Sequence, residues 1–262
     1  MTEKQRLDLL LYQKGLAESR EKARAMIMAA EIKVNGQLID KPGTKVALDA
    51  EIMLKVKPRF VSRGGEKLAG ALKDFNYDVA GKICADVGAS TGGFTDCLLK
   101  NQAQRVYSID VGYGQLAHSL RIDPKVVVME RTNARYLESL EEEVDLIVAD
   151  ASFISLTLLL PAMIKWLKKD ADIIALIKPQ FEAGKADVGK GGVVRNHEIH
   201  QRVVLDIAEF AETQSLYIQN LTISPIKGPK GNIEFLIWLS KSIDKNAIHI
   251  QEKIEELIAS IS

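Results

Sequence analysis

Cys84-Ala85-Asp86-Val87-Gly88-Ala89-Ser90-Thr91-Gly92-Gly93-Phe94 is the stretch whose reading decides the fold. Ile83 to Val87 is a short apolar run rich in strand formers; it carries a carboxylate near its end and leads into a glycine loop, and a helical pattern begins at Phe94. The order is strand, tight turn, helix, and the glycines let such a turn approach a ligand closely. Asp86, Gly88, Ser90, Gly92, Gly93 and Phe94 are therefore the candidate cofactor contacts. The spacing reads G-x-x-x-G-G, not the G-x-G-x-x-G of dinucleotide binders, and no Lys-Ser/Thr follows for a nucleoside triphosphate. A turn of this shape also serves as a bare connection, so the loop alone fixes no ligand.

The flanking sequence narrows the choice. Arg105 to Ile109 reads as a second strand ending at Asp110, about twenty residues beyond the loop, where an acid accepts both hydroxyls of a ribose. Val126 to Met129 is a third strand; Asn133 or Thr132 beyond it can hydrogen-bond a base or act as a turn residue. Asp145 to Ala149 and Ile173 to Ile177 are the fourth and fifth strands, ending at Asp150 and Lys178. Helical patterns over 66–75, 156–168, 196–212 and 247–261 alternate with them. The fold class is α/β, with a Rossmann-like, mostly parallel, doubly wound sheet. Leu216 to Ile223 and Ile233 to Leu239 complete it, the last strand running antiparallel. The loop 184–192 comes one residue short of a P-loop, since Gly191 stands where a Ser/Thr should be, and reads as a mobile lid. His197 and His200, with no third ligand, read as surface residues and not as a metal site.

Parallel strands expose their ligand site at their carboxyl ends. Asp150 and Lys178 lie at two such ends, an antiparallel last strand brings Glu234 to the same edge, and Lys67 sits on the helix entering the first strand. Two acids and two lysines thus converge beside the glycine loop, as a catalytic constellation or as a structural ion-pair network.

Charge is unevenly spread over a formally neutral chain of 262 residues, of which 47% are hydrophobic. Residues 1–73 hold 15 Lys/Arg against 9 Asp/Glu, and the remainder holds 20 against 26, so +6 faces −6. The basic front hints at a polyanionic partner. Within it, a helix over 5–14, a helix over 20–30 capped by Ser19, a hairpin at Asn35-Gly36, a turn at Lys41-Pro42-Gly43 and a strand from Ile52 to Val56 make a small α+β unit. Arg6, Arg20, Lys22, Arg24 and Lys33 are its phosphate-contact candidates, and Arg63, in the basic Pro/Gly stretch from Lys57 to Gly65, is a further one. The expected domains are 1–58, a linker at 59–65, and 66–262. A polar amino end, no apolar run near the ~18 residues of a membrane span, and two cysteines, Cys84 and Cys97, without a C-x-x-C pair lead to the expectation of a soluble cytoplasmic protein, without membrane or metal.

The pattern Arg6-Leu7-Asp8 … Ser19-Arg20-Glu21-Lys22-Ala23 … Lys33-Val34-Asn35-Gly36 … Lys41-Pro42-Gly43 resembles the S-four module, a small RNA-binding unit first named for a ribosomal small-subunit protein. Val61-Ser62-Arg63-Gly64-Gly65-Glu66-Lys67-Leu68, Asp86 to Phe94, Asp150-Ala151-Ser152-Phe153, Lys178-Pro179-Gln180-Phe181 and Gly231-Asn232-Ile233-Glu234 resemble, in that order, the TlyA family, labelled hemolysins but similar to FtsJ-type ribose 2′-O-methyltransferases. The resemblance spans nearly the whole chain except residues 240–262. It implies S-adenosylmethionine as cofactor, ribosomal RNA or ribosomal subunits as partner, a cytidine as target, and a Lys-Asp-Lys-Glu tetrad falling on Lys67, Asp150, Lys178 and Glu234.

The chemistry suits those residue types. A ribose 2′-hydroxyl must lose its proton as it attacks a sulfonium methyl, and a free lysine, with pKa about 10.4, is protonated at neutral pH. Burial and a neighbouring ammonium lower that value, which makes Lys178 the expected base, Lys67 its neighbour, Asp150 its orienter and Glu234 the partner of Lys67. The alternatives are a non-catalytic RNA-binding protein, a pore-forming hemolysin, and an NAD-dependent dehydrogenase, for which the loop spacing is wrong.

Overall fold

The computed structural model describes residues 3–54, 58–242 and 248–261, and the chain divides into Met1–Pro58 and Arg59–Ser262. Val56 and Lys57, at the ends of an expected strand and linker, and Ala247, at the start of the expected tail helix, lie outside the described residues.

In the first unit the elements run β1 (Lys4–Arg6), α1 (Leu7–Gln13), α2 (Arg20–Met28), β2 (Ile32–Val34), β3 (Gln37–Ile39), β4 (Lys45–Ala47) and β5 (Ile52–Leu54). The helix expected from Gln5 starts two residues later, because Lys4–Arg6 pairs antiparallel with β4, Gln5 opposite Val46. Three-residue strands carry too little alternation to be seen in sequence. Ser19 caps α2, its side chain accepting from the Lys22 amide at 3.1 Å. Asn35 and Gly36 both have positive φ (49° and 78°), as a type I′ turn requires, and β2 lies between β3 and β5. Leu7, Leu10 and Leu11 of α1 and Ala23 and Ile27 of α2 pack on Ile32 and Val34 in a core of their own.

The second unit runs α3 (Gly64–Asp74), β6 (Ile83–Val87), α4 (Gly93–Lys100), β7 (Arg105–Ile109), α5 (His118–Arg121), β8 (Val126–Met129), β9 (Val144–Ala149), α6 (Leu156–Met163), β10 (Leu167–Ile177), α7 (Pro179–Glu182), α8 (His197–Thr213), β11 (Tyr217–Ile223), β12 (Phe235–Ser240) and α9 (Ile250–Ala259). Among the described residues they form a seven-stranded sheet in the order β11-β12-β10-β9-β6-β7-β8, with β12 antiparallel to both neighbours and the other pairings parallel. The chain leaves β6 toward β7 and β8 on one side and returns to β9 and β10 on the other, so the switch point lies between β6 and β9. Leu68, Leu72, Phe94 and Leu98 of α3 and α4 cover one face; Leu160, Met163, Val204, Ile207 and Ile254 of α6, α8 and α9 cover the other.

Two expectations need correcting. The helix read over 156–168 stops at Met163; a 3-10 turn follows, and β10 starts at Leu167, making it the longest strand. Glu234 precedes the last strand, and its carbonyl accepts from the Ser224 amide at 2.8 Å. Arg59 to Val61 pack onto α4: Lys100 donates to the Arg59 carbonyl and to Asp96, Asp96 accepts from the Val61 amide at 2.9 Å, and Phe60 is buried.

Candidate active site

β6 and β9 end side by side at the switch point. The Asp150 amide donates to the Val87 carbonyl at 3.0 Å, which brings the first residue after β9 against the start of the glycine loop. Gly88 has φ +83°, and a Cβ there would lie 2.9 Å from the Asp150 carbonyl oxygen, so no side chain fits. Gly93 opens α4 against the start of α3: a Cβ on it would lie 2.3 Å from Ser62 Oγ and 2.8 Å from the Gly65 nitrogen. The two helices thereby approach closely enough for Lys67, one turn into α3, to reach the strand ends.

There it meets the expected partners. Lys67 Nζ stands 2.7 Å from Glu234 Oε2 and 3.6 Å from Asp150 Oδ2; Lys178 Nζ stands 2.5 Å from Asp150 Oδ1. The order Glu234–Lys67–Asp150–Lys178 is a chain of alternating charge that sums to zero. Lys67, Lys178 and Glu234 are buried; Lys67 is on α3, Lys178 directly follows β10 and Glu234 directly precedes β12. Lys178 also donates to Ser152 Oγ at 2.7 Å, and Gln180 Nε2 donates to Glu234 Oε1 at 3.3 Å. A buried ion-pair chain is a weak source of stability, because desolvation offsets most of the Coulombic gain. It fixes two ammonium groups on the wall of a cavity.

The chain lines a cavity of about 760 Å³, shared with Ser62, Arg63, the loop from Gly88 to Thr91, Gly93, Phe94, Phe153, Phe181, Gly192, Lys230 and Asn232. That volume suits a drug-sized ligand. Phe153 stands on the rim, 90% exposed, with positive φ (+63°), its ring 4.8 Å from that of Phe181. A large aromatic in the left-handed region is strained, and its exposed ring leaves apolar surface in water, a combination typical of functional positions. Asn232 ties the wall together by accepting from the Val194 amide at 3.1 Å and donating to the Gly192 carbonyl at 2.9 Å.

Of the four remaining cofactor candidates, Gly92 faces Leu116 and Leu120, where a Cβ would lie 2.8 Å and 2.3 Å from their methyl carbons. Asp110 follows β7 and accepts from the Ser90 amide at 2.8 Å and the Gly112 amide at 2.7 Å, joining both loops beside Ser108, Gln115 and Glu130. Asp86 lies beneath the loop. It is fully buried, and Oδ2 accepts from both the amide (2.9 Å) and the hydroxyl (2.7 Å) of Thr95. Burial pushes its carboxyl up to about 7; the Thr95 hydrogen bonds oppose this and the Asp150 charge adds to it. Its observed contacts hold the end of β6 to α4. Asn133 is exposed, and its side chain accepts from the Arg135 amide at 3.0 Å, which is the turn role.

His200 corrects an expectation. It is fully buried, with Nε2 3.2 Å from the Val194 carbonyl, and burial pushes its pKa down. Among the described residues no cluster of His, Cys, Asp and Glu fits a metal ion, and no helix is long and apolar enough to cross a membrane. Of the RNA-contact candidates, Arg6 and Arg20 both pair with Asp8, whereas Lys22, Arg24 and Lys33 are exposed, and Arg63 lines the cavity. Sequence reasoning missed Ser152, Phe153, Gln180 and Lys230 as site residues. The first three stand within three residues of Asp150 or Lys178, and that proximity was the available signal.

A seven-stranded sheet with one reversed strand, a glycine loop at the switch point and an acid after the second strand define the Rossmann-like methyltransferase class. The FtsJ-like methyltransferase family matches residues 60–241, and the S4 domain matches residues 5–52. YqxC of Bacillus subtilis, provisionally named an rRNA methyltransferase, is 48% identical over 91% of this chain and 86% of its own length. The 16S/23S rRNA (cytidine-2′-O)-methyltransferase TlyA of Mycobacterium tuberculosis is 46% identical over 94% of this chain and 93% of its own. A solved structure from Streptococcus thermophilus, provisionally named a hemolysin, superposes with TM-score 0.75 at 44% identity, covering 99% of this chain and 96% of that one. The chain belongs to the TlyA family of FtsJ-like methyltransferases.

Proposed function

We propose that the protein transfers a methyl group from S-adenosylmethionine to the ribose 2′-oxygen of a cytidine in ribosomal RNA, the activity named for the M. tuberculosis relative. The observation that carries this reading is the convergence of Lys67, Asp150, Lys178 and Glu234 in one cavity with the glycine loop. The substrate places the reaction in the cytoplasm, where ribosomes are. Residues 1–58 are read as the RNA-binding domain, 66–262 as the methyltransferase domain, and 59–65 as their joint.

The loop residues fit the cofactor. Gly88, Ser90, Gly93 and Phe94 line the cavity, and the backbone amides of Ser90 and Gly112 hold the Asp110 carboxylate where a diol would meet it. Gly88, Ser90, Gly92, Gly93, Phe94 and Asp110 would hold it, with Asp150 beside them. When bound, it supplies an electrophilic methyl on a sulfonium sulfur. Lys178 Nζ would take the 2′-hydroxyl proton as the oxygen bonds to the methyl carbon and that carbon's bond to sulfur breaks, leaving a neutral thioether. Asp150 and Ser152 hold Nζ by the contacts described above, so it is already oriented when the hydroxyl arrives. Lys67, fixed by Glu234, faces the hydroxyl oxygen as charge develops on it. Phe153, exposed at the rim beside Phe181, offers a stacking face for the nucleobase. Arg63 and Lys230 also line the mouth and, among the described residues, hold no ion pair there, which suits the phosphates on either side of the target nucleotide.

The test is transfer of tritiated methyl from S-adenosylmethionine to purified ribosomal subunits and free ribosomal RNA, followed by mapping of the product. Label on a cytidine 2′-oxygen is the expected result. RNA binding without label would leave an RNA-binding protein, and leakage of liposomes in place of label would point to a hemolysin.

A further inference from the structure

Beneath the basic surface of the first unit lies an acid. Asp8, in the first turn of α1, has a fully buried side chain, and both of its oxygens are occupied. Oδ1 accepts from Arg6 Nε at 3.0 Å and from the Leu9 amide at 3.1 Å; Oδ2 accepts from Arg6 Nη2 at 3.0 Å and from Arg20 Nε at 3.1 Å. One carboxylate thus holds two guanidinium groups that come from the end of β1 and the start of α2.

A role in folding alone explains this arrangement poorly. Arg6 and Arg20 remain 42% and 49% exposed, and ion pairs this open to water contribute little stability. Arg20 opens α2, where the helix dipole disfavours a cation. A surface tuned only for positive charge gains nothing from an acid under its arginines, because the acid weakens long-range attraction to a polyanion. What the acid does provide is orientation. Arg6 gives Asp8 its Nε–Nη2 edge, and its Nη1 packs over Gly43, where a Cβ would stand 3.5 Å away. Arg20 gives only Nε, leaving both terminal nitrogens directed elsewhere. Arg6 pulls the Asp8 carboxyl down to about 2 with Arg20's help, so the lock holds across the neutral range.

We propose that Asp8 is a positioning residue that locks Arg6 and Arg20 into a two-pronged clamp for the phosphate backbone of folded RNA. Planar guanidinium forks fixed in direction recognise phosphates at a set spacing, whereas mobile cations bind any anionic polymer. The clamp rests on the reading of the first unit as RNA-binding, and it adds which residue gives that unit its preference for shape.

The proposal separates binding by charge from binding by geometry. Full-length wild type, Asp8→Asn and Arg20→Lys are titrated with transcribed 16S and 23S ribosomal RNA and, separately, with heparin, a polyanion without fold. Asp8→Asn raises the net charge by one and frees both arginines. The expected result is ribosomal RNA binding weakened about tenfold, with heparin binding equal or tighter. Arg20→Lys keeps the charge but loses the planar fork, so it weakens ribosomal RNA binding several-fold with heparin unchanged, and it tests the clamp even where Asp8→Asn fails to fold. The clamp is overturned if both variants bind ribosomal RNA as wild type does, or if a folded variant loses both ligands in equal measure. Failure of the proposed function looks different: wild type then binds ribosomal RNA without methylating it, or does neither.

Discussion

Each unit of the molecule buries an arrangement of acids and bases, and the two are built to opposite ends. In the first, Asp8 anchors two arginines, leaving one positive charge in excess with both guanidinium groups partly in water. In the second, Glu234, Lys67, Asp150 and Lys178 alternate to a net charge of zero around a cavity. The open cluster suits a charged polymer that must be met from solvent. The balanced one suits a neutral hydroxyl whose single proton must be moved. Fully desolvated charges need exact compensation, and partly hydrated ones do not.

The strongest challenge to this contrast is Lys178→Ala. It should lower methyl transfer by about a thousandfold while ribosomal RNA affinity stays within about twofold, measured by label incorporation and by titration. Equal losses in both would mean that the balanced cluster serves binding as well. Next comes Lys67→Met, which strands the buried Glu234 carboxylate with Gln180. Denaturant unfolding should show a loss of about 3–5 kcal/mol in the second unit, and adding Glu234→Gln should recover part of the stability but none of the activity.

Asp86 sharpens the comparison further, because it is a buried carboxyl with no cation beside it among the described residues, its donors being those of Thr95. Its folded-state pKa, about 7, lies above the ordinary value near 4. The proton is then bound more tightly in the folded state, so its contribution to stability is complete below about pH 4 and is lost as pH rises through about 7. Asp86→Asn should remove most of that slope in melts between these limits. Asp8, held at about 2, has the reverse sign: its contribution is complete above about pH 4 and is lost as pH falls through about 2. The smallest effect is expected at the exposed surface. Lys22→Ala or Lys33→Ala should each reduce the salt dependence of RNA binding by about one unit of log–log slope.

Much of the catalytic unit was legible because its signals are local. The run from Ile83 to Phe94 joins a strand pattern to a loop that only glycines can form, and Asp110, Asp150 and Lys178 each follow an apolar strand. What escaped reading depends on partners distant in sequence. Lys4–Arg6 looks like helix until β4 claims it, and Leu167 looks like helix until β9 extends alongside. His200 looks like a surface residue until α8 turns it inward toward Val194. Asp86 and Asn133 were expected as ligand contacts from position along the strands, and the structure adds the contacts they make now, Asp86 with Thr95 and Asn133 with the Arg135 amide.

By itself the sequence determined the order of elements, the α/β class, the basic front and the family, because strand alternation, glycine turns and charge runs are properties of neighbouring residues. Only the tertiary structure decided that Asp8 lies beneath Arg6 and Arg20, and that the expected pair of Glu234 and Lys67 closes to 2.7 Å. Ionic contacts fall off within a few ångströms, and residues 167 positions apart reach that range only once the sheet has closed around them.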